Sequence, residues 1–156
     1  MKLTDFITPE HVKIGLESGN KEEIIEELVS LLVDTSDVSD PDAIFEAVMS
    51  REREGSTGLE KGVAIPHAKC DAVKSLSIVI GVSRRGVDFA AQDGKPSHLF
   101  FLMVAPTSES GPHVQAIAKI VKMIKLDKFR KKLIDAKKPQ DVVDAIARVE
   151  NGEEAE

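Results

Sequence analysis

The chain has 156 residues, 42% of them apolar and 31% charged, enough for one compact domain with a core and a solvated surface. Its net charge of −6 and its lack of Trp and Tyr argue against a nucleic-acid binder, and a single cysteine excludes an intramolecular disulfide and a cysteine-rich zinc site. No stretch approaches the length of a membrane span, and the N-terminal MKLTDFITPEH lacks the apolar centre of a signal peptide, so a cytoplasmic protein is expected.

VKIGLES, 12 to 18, alternates as a short strand does. Asn20 then reads as an N-cap followed by acids, and Ile24, Ile25, Leu28, Leu31 and Leu32 space a helix over about 21 to 33. Asp40-Pro41 starts a second helix with Ile44, Phe45, Val48 and Met49 on its apolar stripe, ended by Gly55. The glycine-rich GSTGLEKG, 55 to 62, leads into the short strand Val63-Ala64-Ile65, which Pro66 is expected to end. His67 would then be the first side chain beyond that strand.

SLSIVIGV, 75 to 82, reads as a buried strand. A turn at 83 to 86, a short strand at 87 to 89 and a turn at Asp93-Gly94 follow. HLFFLMV, 98 to 104, is a continuous apolar run, the pattern of a central strand covered on both faces. Residues 106 to 111 read as a loop. Pro112 opens a helix with Val114, Ile117, Ala118, Val121 and Ile124 on one face, a shorter helix covers about 127 to 136, and Pro139 opens a last one. The expectation is a single α/β domain over 1–150, with a mixed sheet flanked by helices on both faces, and an acidic, fraying tail at 151–156.

Among four histidines, His67 has the most telling company. Arg51 and the hydroxyls of Ser56 and Thr57 precede it, with a glycine-rich loop between. A neutral imidazole is a nucleophile, a guanidinium is a permanent fork for phosphate oxygens, and hydroxyls and loop amides bind the same oxygens. Together they suit a phosphoryl group carried on a ring nitrogen. Taken alone, each has a plainer reading: a hydrogen-bonded histidine, and a helix-end cation that suits the C-terminal dipole.

REREGSTGLEKGVAIPHAK, 51 to 69, closely resembles the phosphorylation-site signature of fructose/mannitol-class EIIA proteins of the bacterial phosphoenolpyruvate-dependent phosphotransferase system. The matching positions are Arg51-Glu52, Ser56-Thr57-Gly58 and Gly62 to His67; Glu60 stands where many members carry glycine. The resemblance runs from the first strand to about residue 149. It implies the fructose/mannitol EIIA fold and a phosphotransferase that needs no cofactor or metal. It implies that His67 accepts phosphate from the carrier protein HPr or its paralogue and passes it to a cysteine or histidine of an EIIB partner. It gives His113, at the start of its helix, a phosphate-binding or orienting role beside His67, and Arg51 a similar one. Spacing alone would leave His113 facing solvent.

The wording of the segment is closer to the fructose and nitrogen-regulatory branches than to the mannitol branch. A freestanding EIIA could relay phosphate in sugar uptake, or could signal to a regulatory target through its phosphorylation state. With no EIIB or EIIC sequence attached, the regulatory role is expected slightly ahead, and any association with a membrane would run through EIIB and EIIC. A Cys-His hydrolase built on Cys70 and His67 is the reading outside the family. It lacks an oxyanion-hole motif, and Cys70 is better read as a small thiol at the start of a buried segment. His11 and His98 read as structural. Lys125 to Lys138 carries seven basic residues against Asp127 and Asp135, a net +5 that reads as a solvated helix face.

Overall fold

The computed structural model describes residues 1–153. Five strands form one mixed sheet: β1 (Val12–Ile14), β2 (Val63–Ala64), β3 (His67–Lys69), β4 (Ser77–Val87) and β5 (Ser97–Ala105). The order is β1-β4-β5-β2, with β3 also on β5. β4 and β5 are antiparallel, with Ile80 opposite Phe101, whereas β1 runs parallel to β4 and both β2 and β3 run parallel to β5. The helices are α1 (Lys21–Thr35), α2 (Pro41–Glu54), α3 (Ser110–Met123), α4 (Asp127–Asp135) and α5 (Pro139–Glu150).

The expected two-faced burial is realised through β5. Leu99, Phe101, Met103 and Ala105 point into a core with α3, α4 and α5. Phe100, Leu102 and Val104, one residue out of step, point into a second core with Ile24, Leu28 and Leu32 of α1 and Ile44 and Val48 of α2. Every one of these β5 residues is at most 1% exposed, which is why the strand carries no polar alternation. The caps read from sequence are present: the Asn20 side chain accepts from Glu23 N–H at 2.9 Å, and that of Asp40 from Ala43 N–H at 3.2 Å.

Several boundaries differ from the expectation. β1 stops at Ile14 because Gly15 turns to φ +86°, although the Gly15 and Leu16 amides still donate to Val82 O at 2.9 and 2.8 Å. Residues 83 to 86 are an irregularity inside β4, with the pairing register shifting between Val82 and Val87, rather than a turn between two strands. The reversal to β5 falls at 88–96 and includes the Asp93-Gly94 turn, where Gly94 N–H donates to Ala91 O at 3.0 Å. α3 begins at Ser110, two residues before Pro112, since a proline's missing N–H costs nothing in the first turn.

His67 is the most consequential difference. Pro66 interrupts the strand without ending it: its carbonyl accepts from Met103 N–H at 3.1 Å, and the chain resumes pairing on β5 with His67 opposite Met103. His67 therefore stands on a strand in the sheet, not beyond one. Of the tail expected at 151–156, residues 154–156 lie outside the described residues. Asn151 caps α5 and accepts from Lys2 Nζ at 2.8 Å.

Candidate active site

β3 alternates, so His67 and Lys69 share one face while Ala68 and Cys70 take the other. His67 faces α3. The first turn of that helix brings His113 against it, with ring centroids 5.6 Å apart and planes tilted by 60°. Cys70 instead packs with the α1/α2 core on the opposite side of the sheet. Strand geometry thus separates the thiol from the imidazole and removes the basis of a Cys-His pair.

The tautomer of His67 follows from one bond. Its Nδ1 lies 2.8 Å from the carbonyl oxygen of Ile65. A carbonyl only accepts, so Nδ1 carries the proton and Nε2 keeps its lone pair. The ring is half-buried, fixed on one side and reachable on the other.

His113 is 4% exposed, unlike the solvent-facing helix start that spacing alone suggested. Its Nδ1 is buried with no hydrogen-bond partner among the described residues. Burial, then the charges of His67 and Lys69, push its imidazole down to about 4. His113 is therefore neutral at neutral pH. An unpartnered ring nitrogen in a buried position next to a second imidazole is a waiting hydrogen-bonding group.

Arg51 sits in the last turn of α2 and donates from Nη1 to Gly55 O at 2.9 Å, at the helix C-terminus. Most of its guanidinium donors remain for other acceptors. The hydroxyls of Ser56 and Thr57 are committed within the loop. Ser56 Oγ donates to Phe89 O at 2.6 Å, and Thr57 Oγ1 donates to the carboxylate of Glu52. So His67 and His113 meet directly. Arg51, Ser56 and Thr57 form a second group at the α2–β2 junction, joined to His67 through the backbone.

Sequence reasoning passed over Glu52. It was visible only as the second letter of the Arg-Glu pair, and its partner Lys21 lies on another helix. His11 and His98 are structural, as expected. Thr8 N–H donates to His11 Nδ1 at 2.9 Å, and His98 Nδ1 lies 2.9 Å from Ser83 O.

Residues 5–149 match the family model described as "Phosphoenolpyruvate-dependent sugar phosphotransferase system, EIIA 2". The chain belongs to this EIIA family. It is 37% identical to a fructose-specific EIIA component of Haloferax volcanii, over 96% of this chain and 99% of that one. It is 35% identical to the fructose-specific EIIABC component of Bacillus subtilis over 94% of this chain, and there it spans only 23% of the relative's length. Among solved structures it resembles the nitrogen regulatory protein IIA-Ntr of Neisseria meningitidis, with a TM-score of 0.86 and 30% identity, covering 92% of this chain and 98% of that one. As an EIIA protein it is a phosphotransfer component, with both fructose-type and nitrogen-regulatory relatives. Among the described residues no helix is long and apolar enough to cross a membrane.

Proposed function

We propose that His67 is the phosphoryl carrier of this EIIA protein and works in the cytoplasm. The lone pair of Nε2 attacks the phosphorus of a phosphohistidine on an HPr-like donor. The new P–N bond forms as the old one breaks, and the donor imidazole keeps the electron pair. In the second half-reaction an acceptor nucleophile takes the phosphoryl group and returns the lone pair to Nε2. Such a transfer needs in-line positioning and compensation of the equatorial oxygens' charge.

The observation that carries this reading is the 2.8 Å contact between His67 Nδ1 and Ile65 O. It leaves Nε2 as the nucleophile and fixes its direction. His113 supplies a neutral imidazole that can donate to a phosphoryl oxygen, and Arg51, in the last turn of α2, a permanent charge. Ser56 and Thr57 serve this site as loop anchors: both hydroxyls are committed, and the Thr57 amide donates to the Glu52 carboxylate, which leaves the Ser56 amide as the candidate for phosphate contact.

The acceptor we propose is an EIIB domain of the fructose class. The Bacillus subtilis relative is named as an EIIABC component, and the two fructose-named proteins are 35% and 37% identical to this chain. A regulatory output is the second reading, favoured by the superposition on IIA-Ntr at a TM-score of 0.86. Both share the loading step, so one experiment tests what is common. Incubation with phosphoenolpyruvate, the general enzyme and HPr should add one acid-labile phosphate, seen by intact mass and absent from His67→Ala. Equal labelling of His67→Ala would overturn the assignment. Rapid drainage of the label by a fructose-type EIIB, or its persistence in that partner's presence, separates uptake from regulation.

A further inference from the structure

Glu52 is a buried acidic residue, at 5% exposure. A carboxylate is held in such a place only if its oxygens are well partnered. Here Oε1 and Oε2 lie 3.3 and 3.2 Å from the Thr57 amide, which donates to them, and Oε1 also accepts from the Thr57 hydroxyl. Oε2 lies 2.8 Å from Lys21 Nζ, which reaches across from the first turn of α1. That ammonium sits 4.7 Å from the centre of the Phe89 ring. The Phe89 carbonyl in turn accepts from Ser56 Oγ at 2.6 Å.

This cluster does not end in the loop. Ile65 N–H donates to the Thr57 carbonyl at 3.0 Å, and the Ile65 carbonyl accepts from His67 Nδ1 at 2.8 Å. A continuous run of bonds thus leads from Lys21 through Glu52, Thr57 and Ile65 to the proton that sets the tautomer of His67. The break at Pro66 makes it matter. Because Pro66 offers no N–H, the segment just before His67 cannot be held by a full ladder on β5, and the Thr57–Ile65 bond supplies part of the missing restraint.

We propose that Glu52, paired with Lys21, is a positioning residue for phosphoryl transfer: it anchors Thr57 so that Ile65 presents its carbonyl to His67 Nδ1 and keeps Nε2 free to react. This rests on His67 being the carrier. Glu52 does not touch the reacting atoms. It acts by holding a backbone segment, and misplacing a nucleophile by about an ångström can cost about 100-fold in rate.

The test combines a tautomer measurement with a rate. The ¹⁵N shifts of the His67 ring report which nitrogen carries the proton, on unphosphorylated protein and without any partner. In Glu52→Gln, which keeps shape but loses charge, the Nδ1–H form should no longer dominate, and loading from phospho-HPr should slow by about 10- to 100-fold. Lys21→Met, which leaves Glu52 in place, should shift both readouts in the same direction by less. A folded Glu52→Gln with the wild-type tautomer overturns the proposal, whether or not its rate falls, because a merely structural role would lower stability without moving the ring proton. Should Glu52→Gln fail to fold, Lys21→Met and Thr57→Val decide: an unchanged His67 tautomer in both overturns the proposal. If wild type takes no phosphate while the tautomer still shifts in the variants, the carrier reading fails and the anchoring of His67 by Glu52 stands.

Discussion

The imidazole of His113, at the start of α3, lies 5.6 Å from that of His67 on β3, and one is buried where the other is half-open. Burial and the neighbouring positive charges hold His113 down at about 4, so it stays neutral where an ordinary histidine would begin to protonate. A phosphoryl group on His67 reverses the second of these influences, since it sets an anion beside the buried ring. Phosphorylation should raise the His113 titration midpoint by about 1–3 units. NMR titration of the His113 ring protons with and without phosphate on His67 measures this, and an unmoved midpoint would mean that the phosphate does not face His113.

The same arrangement ranks the two histidines by mutation. His67→Ala removes the proposed carrier and should abolish loading. His113→Ala removes one hydrogen-bonding group and should slow loading by about 100-fold while leaving it measurable, the scale seen when one preorganised donor is lost. Stopped transfer with radiolabelled donor gives both rates, and thermal unfolding of both variants separates chemistry from folding. Loading retained in His67→Ala and lost in His113→Ala would reverse the roles.

Stability should fall with pH in two steps. His113 binds its proton at about 4 when folded, against an ordinary value of 6.5, so the unfolded chain takes up the proton first. The stabilisation is whole above 6.5 and is lost between 6.5 and 4, to the extent of about 2–3 kcal/mol. Glu27 drives the lower step. Burial alone would raise its carboxyl, but the ammonium of Lys13 at 2.7 Å, with Ser18 and the amides of Glu17 and Ser18, holds it at about 2. Its contribution is present above 4.5 and disappears as pH falls toward 2. Glu150 adds to the lower step: burial would raise it, yet the Leu3 amide, Lys119 and the Thr4 amide lower it. Urea unfolding across pH 2–7 should show both limbs, and Glu27→Gln should flatten the lower one only.

Much of this molecule could be read in the sequence because local chemistry agreed with the tertiary result. Asn20 and Asp40 cap the helices they precede, and the unbroken apolar run of β5 is the run buried between two cores. The Gly-Val-Ala-Ile-Pro-His motif singled out His67, the histidine that meets His113. What stayed hidden depended on distance. β3 is three residues long and follows a proline, so no periodicity marks it; its pairing is dictated by Met103 and Val104 on β5. His113 is buried beside His67, a residue of another element 46 positions earlier in the chain. Thr57 and Ser56 looked like phosphate contacts because their hydroxyls are polar and near the motif, but Glu52 and the Phe89 carbonyl hold those hydroxyls. The residues of the signature are thus of two kinds, those beside the paired histidines and those holding the loop, and the string of letters does not distinguish them.

Gly58 belongs to the second kind, and here the space itself makes a prediction. A Cβ on Gly58 would stand 2.9 Å from Ala91 Cα, 3.1 Å from Ala91 Cβ and 3.2 Å from Phe89 O. The first and last of these are backbone atoms of the β4–β5 connection, so no rotamer change relieves the contact. The two segments are also stitched together: Gln92 N–H donates to Gly58 O at 3.1 Å, Ser56 Oγ donates to Phe89 O, and Gly58 bridges to Ala64 just ahead of His67. Adding a methyl must push the loop off the connection and strain these bonds together. Gly58→Ala should therefore lower stability by about 1–3 kcal/mol, the cost of forcing a methyl into a packed site. It should also slow loading of His67, because the displaced segment carries Thr57 and its hold on Ile65. Gly19→Ala, where a Cβ meets nothing within 4 Å, is the matched control and should unfold at nearly the wild-type urea midpoint. A Gly58→Ala protein as stable as Gly19→Ala would show that the loop and the connection lie farther apart than this packing requires, and the role of Gly58 in holding His67 would fall with it.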